Sequence, residues 1–122
     1  SIHSNSASNE LMGDGNKARG FEIYTSIGQT KSDELANIAS KWYKKLFPEF
    51  VFRENKTDAG EFENKEKAYM VLSKTQCPAF LVENLFFDNK EEAMFLLSEI
   101  GQNRIADCLY QIVMEIYEKV RV

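Results

Sequence analysis

The run Ala79-Phe80-Leu81-Val82, opened by Pro78 and closed by Glu83, constrains the fold more than any other stretch of this chain. Four apolar residues in a row without polar alternation suit a strand buried on both faces, as in the parallel sheet of an α/β fold. Phe21-Glu22-Ile23-Tyr24, bounded by Gly20 and Gly28, reads as a second strand, and Phe50-Val51-Phe52 as a short extended piece. From Ser32, an N-cap followed by Asp33 and Glu34, the positions Leu35, Ile38, Ala39, Trp42 and Leu46 recur at helical spacing until Pro48. Asn89 and Glu92 make a capping-box pattern ahead of Ala93, Leu96, Leu97 and Ile100, with Gly101 as the stop. Ile105, Leu109, Ile112, Ile116 and Val120 form the stripe of a last helix, with Glu115, Glu118 and Lys119 towards water. This order of elements predicts an α/β sandwich, helices packed over a mostly parallel sheet. Ser4 to Gly20, rich in Ser, Asn and Gly, reads as a mobile surface loop, Arg53 to Lys67 as a charged loop, and Tyr69 to Leu72 as an apolar run.

A length of 122 residues suits one domain, and 43% hydrophobic residues can furnish a core. The net charge of -4, with no Lys/Arg cluster, argues against a nucleic-acid partner. The longest apolar runs, Ala68 to Leu72 and Ala93 to Leu97, fall far short of the roughly 20 residues that span a bilayer, so no membrane insertion is expected. Cys77 and Cys108 form no CxxC pair and read as buried free thiols. With one histidine in the chain, a zinc site cannot be completed from His and Cys alone. The first residues are Ser-Ile-His, without Met and inside what reads as the end of a strand, so an upstream portion is expected. Cleavage, trimming and a separate chain all stay open as its explanation.

Two residues stand out chemically. His3 ends a short apolar strand beside Ser4, Asn5 and Ser6; it is either a metal ligand or an ordinary surface residue. Glu83 follows the buried run directly and precedes Leu85, Phe86 and Phe87. A carboxylate there is paired, metal-adjacent or raised in pKa as a general acid/base, unless it sits just past the sheet edge in solvent.

Ser1-Ile2-His3-Ser4-Asn5, Gly20-Phe21-Glu22-Ile23-Tyr24, Pro78-Ala79-Phe80-Leu81-Val82-Glu83, then Phe86 and Asn89, follow one another as in zinc-dependent N-acetylmuramoyl-L-alanine amidases. The chain resembles the C-terminal half of that catalytic domain, residues 1–122 being one half-domain. The resemblance implies a three-layer, zinc-exopeptidase-like sandwich and a bacterial or phage cell-wall hydrolase, an autolysin or endolysin. Its substrate would be peptidoglycan or muropeptide, cut between N-acetylmuramic acid and L-alanine by zinc-activated water. In that family two histidines and a glutamate hold one Zn2+; His3 matches the second histidine, and the other ligands are expected upstream. Glu83 matches the catalytic acid/base. Asn5 and Glu22 either support a metal ligand or substrate, or are a turn-former and a solvated strand residue. The loop from Ser6 to Arg19 and the segment around Arg53, Lys56 and Lys65 could line a glycopeptide groove, or be solvated faces. Leu85 departs from the pattern, standing where many relatives have glycine, and is expected to alter the turn under Glu83. The alternatives are a non-catalytic peptidoglycan-binding module of amidase ancestry and a fragment that self-associates through an exposed sheet edge. The substrate implies the cell wall, periplasm or cell exterior, with no signal peptide to decide among them.

Overall fold

The structure is a computed structural model and describes residues 1–7, 17–54 and 65–121. In chain order the elements are β1 (Ile2–Asn5), β2 (Glu22–Thr25), α1 (Lys31–Leu46), β3 (Lys65–Glu66), α2 (Met70–Ser73), β4 (Leu81–Phe86), α3 (Lys90–Leu97) and α4 (Glu99–Arg121). The strands form a sheet in the order β1-β4-β2-β3. β4 runs parallel to β1 and antiparallel to β2, while β2 runs parallel to β3. The α/β class is as expected, but the sheet is small and mixed rather than mostly parallel, because its central pairing is antiparallel. Phe21, Ile23 and Val82 on one face pack against Ala36, Ala39, Tyr43 and Phe47 of the α1 region and Cys108 and Ile112 of α4. By strand alternation Glu22, Tyr24, Leu81 and Glu83 lie on the opposite face.

β4 is buried along its whole length and starts later than the apolar run suggests. Glu83 therefore lies inside the strand rather than after its end. A bulge makes this extension compatible with β1: His3 pairs with Glu83 and Asn5 with Phe86, two steps on β1 against three on β4. Leu85 absorbs the extra residue at φ 61°, in the left-handed region that glycine favours. Leucine thus occupies a backbone conformation that suits glycine. Left-handed backbone costs a non-glycine residue about 1–2 kcal/mol. Burying a leucine side chain returns about 1.5–3 kcal/mol, and Leu85 is fully buried.

α1 begins at Thr30 rather than Ser32. The Thr30 hydroxyl accepts from the Ser32 amide (3.2 Å), and the Asp33 carboxylate accepts from the Thr30 amide (2.7 Å), closing a capping box. Asp33 also accepts from the Thr25 hydroxyl (2.8 Å), so this cap anchors the end of β2. Of the expected stripe Ile38 and Ala39 are buried, joined by Ala36 and Tyr43, while Leu35, Trp42 and Leu46 are only partly buried. The Trp42 indole donates to Glu115 (2.7 Å), which holds it at the margin between α1 and α4.

Asn89 caps α3 as expected, its side chain accepting from the Glu92 amide (3.3 Å). The Glu92 carboxylate does not close the box. It accepts instead from the amides of Gly20 and Phe86, each at 2.8 Å, because those two buried donors have greater need of it. Gly101 is not a stop: α3 already ends at Leu97, and Gly101 lies in the first turn of α4, where its Cα abuts the Phe95 carbonyl. Leu97, Ile100 and Val120, expected in the core, are exposed. Cys108 is buried as expected, but Cys77 is exposed. Residues 65 and 66 of the supposed charged loop add β3 to the sheet, and Ser4 and Asn5 belong to β1. The rest of those two loop expectations, at 8–16 and 55–64, falls outside the described residues, Lys56 included.

Two stability effects follow. Leu85→Gly relieves the backbone strain but deletes a buried side chain, a loss of about 2–5 kcal/mol for comparable truncations. Urea denaturation should therefore show a net destabilisation, of about 1–3 kcal/mol. Gly20 sits at φ 109°, and a methyl there would run into the Val51 carbonyl that accepts from the Phe21 amide. Gly20→Ala should cost about 2–3 kcal/mol in the same assay.

Candidate active site

Pairing of β4 on both sides lines up His3, Glu83 and Glu22 across three adjacent strands, with their side chains on one face. Glu83 is 8% exposed, and its Oε2 is buried without a hydrogen-bond partner. Burial pushes its carboxyl above the usual carboxylate range; His3 opposes this, Glu22 adds to it, and Lys67 opposes it. The solvated alternative for Glu83 is thereby excluded.

Glu22 is equally deep but fully engaged. Its carboxylate accepts from Asn5 Nδ2 (2.9 Å), the Tyr24 hydroxyl (2.7 Å) and Arg53 Nε. Asn5 and Glu22, each singled out in the sequence, are thus bonded to one another beside Glu83, and Glu22 is no solvated strand residue. Arg53 spreads its guanidinium over the Phe86 ring, 5.3 Å from the centroid. The Tyr24 phenol is raised by burial first, then by its bond to Glu22 and the surrounding negative charge. Lys67 closes the row's far side, its Nζ 4.8 Å from the Tyr69 ring centroid and 5.8 Å from that of Tyr24.

The His3 imidazole is exposed, with Nε2 2.8 Å from the Ser1 hydroxyl. Its backbone is held from the core: the His3 carbonyl accepts from Asn84 Nδ2 (3.1 Å), and Asn84 Oδ1 accepts from the buried Tyr43 hydroxyl (2.7 Å). The segment after β1 is tied down by Asp88, whose Oδ2 accepts from the Ser6 hydroxyl (3.2 Å) and the Ala7 amide (2.8 Å).

Tyr24 and Asn84 escaped the sequence reading. The two-residue strand period already set Tyr24 beside Glu22 and Asn84 on the side of Val82, but Asn84's partner Tyr43 comes from a distant segment that no local pattern reveals. Among the described residues no group of three or more His, Cys, Asp or Glu could hold a metal ion. His3 and Glu83 stand together, but Glu22 is spent on three donors, so these residues do not by themselves fit a resident zinc, which needs three protein ligands.

The sequence model of the N-acetylmuramoyl-L-alanine amidase family matches residues 1–115. No individually curated protein matches the chain. Among solved structures it is similar to the N-acetylmuramoyl-L-alanine amidase from Clostridium difficile 630, with TM-score 0.77 and 25% identity over 97% of this chain and 55% of that one. It is also similar to the catalytic domain of the amidase CwlV from Paenibacillus polymyxa, with TM-score 0.75 and 24% identity over 96% of this chain and 55% of that one. The catalytic domain of the CD27L endolysin, targeting Clostridia difficile, matches with TM-score 0.60 and 21% identity, over 93% and 52%. The chain therefore spans about half the length of these structures. Its family is nonetheless settled by a match over nearly the whole sequence: the chain belongs to the N-acetylmuramoyl-L-alanine amidases.

Proposed function

We propose that residues 1–122 are the C-terminal half of a peptidoglycan amidase catalytic domain of the three-layer, zinc-exopeptidase-like kind, acting on the bond between N-acetylmuramic acid and L-alanine. The observation that carries this is the buried, unbonded Glu83 oxygen, aligned with His3 in a chain of this family. A carboxyl whose proton affinity is raised by burial is suited to general acid/base work. Glu83 would accept a proton from the attacking water and deliver it to the departing alanine nitrogen. The bond from Asn5 and the ion pair with Arg53 hold Glu22 in place, so that its charge sits at a fixed position beside Glu83. Zinc belongs to this reading as the family's metal, with His3 as one donor; the described residues do not complete the set. The wall, the periplasm or the cell exterior is the place of action that such a substrate implies. No described helix is long and apolar enough to cross a membrane.

The incomplete donor set favours a second reading, a non-catalytic module of amidase ancestry that binds wall glycopeptide. Release of stem peptide from purified peptidoglycan, with zinc content measured in parallel, separates the two. The 122-residue chain should be compared with the longest polypeptide its gene encodes. Zinc and hydrolysis in the longer protein support the enzyme; muropeptide binding with neither supports the module.

In a protein that hydrolyses, Glu83→Ala should lower the rate at least about 100-fold while zinc is retained. Loss of zinc on that change would make Glu83 a ligand instead. His3→Ala should lower bound zinc, and unchanged metal would remove His3 from the site. The raised Glu83 carboxyl also predicts a pH effect in metal-free protein. The folded state holds this proton more tightly than the unfolded chain, so ionisation costs stability at neutral pH and nothing below about pH 4. Glu83→Gln should accordingly raise Tm at pH 7 and leave it unchanged near pH 3.5.

A further inference from the structure

The sheet face that carries Glu83 continues past Glu22 to a group of side chains that the acid/base chemistry does not use. Tyr24 pairs with Lys65 on β3, and the Lys67 amide extends this ladder by donating to the Thr25 carbonyl (3.0 Å). Strand alternation therefore puts Lys67 on the face of Tyr24, Glu22 and Glu83. The Tyr24 ring is held by the bond from its hydroxyl to Glu22 (2.7 Å), and the Tyr69 ring meets it edge-on, with 5.5 Å between centroids. The Lys67 ammonium lies against both rings, 4.8 Å from the Tyr69 centroid and 5.8 Å from that of Tyr24. An exposed lysine on a flexible stem would otherwise swing freely; two aromatic rings hold this one on the side of the site. Among the described residues no carboxylate forms an ion pair with it. Arg53, the other cation bordering the row, is committed to Glu22 and lies over Phe86, towards the far end of β4. Glu83 Oε2, on the same face, is buried without a hydrogen-bond partner. A carboxyl suited to proton transfer and a restrained, unpaired cation thus look onto one surface.

We infer that Lys67, seated on Tyr24 and Tyr69, selects the substrate: it takes a carboxylate on the second residue of the stem peptide, the one that follows the alanine. The inference rests on the amidase reading of Glu83 and adds what that site prefers, an anionic stem over one whose carboxyl is amidated. Spacing supports it. Glu22 lies level with Glu83, and Tyr24 is two residues further along the strand. An extended peptide advances about 3.3 Å per residue, so two residues carry a stem from Glu83 to the ring that bears the ammonium. The first of them is the alanine, whose nitrogen receives the proton from Glu83; the second reaches Lys67. A carboxylate there gains a charge-assisted hydrogen bond from the ammonium, whereas a carboxamide offers only a neutral acceptor. Arg53 cannot serve the same purpose, because its charge is already matched by Glu22.

The probes are N-acetylmuramoyl-L-alanyl-D-glutamate and its α-carboxamide, which differ in that one group. The protein is the longest polypeptide the gene encodes. Binding is measured by calorimetry on its Glu83→Gln variant, so that no turnover interferes, and kcat/KM on the unsubstituted protein. The free acid should bind at least about fivefold more tightly than the amide at low salt, a preference that shrinks as ionic strength rises. Lys67→Met should bring the two Kd values together by weakening the acid, and Lys67→Arg should restore the preference. Equal binding of the two probes, binding of neither, or a preference that survives Lys67→Met overturns the subsite. So does a preference lost in Lys67→Arg as fully as in Lys67→Met, which would mark a packing role for the side chain. Discrimination in binding with hydrolysis of neither probe upholds the subsite and removes the amidase reading. Hydrolysis of both at equal kcat/KM does the reverse.

Discussion

β4 is paired on both sides and buried over all six of its residues, so its polar groups must look inside the protein for partners, and Glu83 Oε2 finds none. That constraint organises the rest. Parallel pairing with β1 and antiparallel pairing with β2 leave Glu83 between two neighbours that also carry titratable side chains, His3 and Glu22. Asn84, on the helix-facing side of β4 like Val82, reaches Tyr43 and so joins α1 to the carbonyl of the strand that bears His3. Leucine in left-handed backbone is tolerated because its side chain is driven into the core, where dispersion and desolvation outweigh the local strain.

Glu92 performs a comparable service just beyond the bulge, at the end of β4. Its two oxygens receive the amides of Gly20 and Phe86, so one carboxylate joins α3, the entry to β2 and the exit of β4. Burial raises its pKa first, and the two backbone donors pull the other way. Glu22 and Glu92 are therefore acids of structure, saturated by donors, while Glu83 has a buried oxygen with none. Of these three buried glutamates, Glu83 alone keeps a carboxylate oxygen without a hydrogen-bond partner.

Much of this was legible in the residues themselves. Unbroken apolarity pointed to a buried strand at Leu81 and Val82, the recurrence of Leu35, Ile38, Ala39, Trp42 and Leu46 placed α1, and Asn89 marked the start of α3. What could not be read was offset and direction. The boundary of α1 moved to Thr30 because Asp33 caps it from within; Glu92 left the expected box for more distant amides; and Gly101, a stop by local rules, was needed for a close approach to Phe95. Antiparallel pairing of β4 with β2 is a tertiary outcome that no period in the sequence encodes. The pairing of His3, Glu83 and Asn5 with Glu22 shares that origin: each residue is notable alone, but only strand register makes them neighbours.

The Asn84 side chain meets the His3 carbonyl across 81 positions of sequence. Closing so long a loop is entropically slow, and its cost must be met before β1 contributes any contact of its own. The Trp42–Glu115 bond between α1 and α4 spans 73 positions, so the contacts that seat this sheet and its helices are long-range throughout. Imidazole and carboxyl are therefore neighbours only through contacts between segments far apart in the chain. Their arrangement is thus a property of the whole fold, lost whenever the chain's most distant segments come apart.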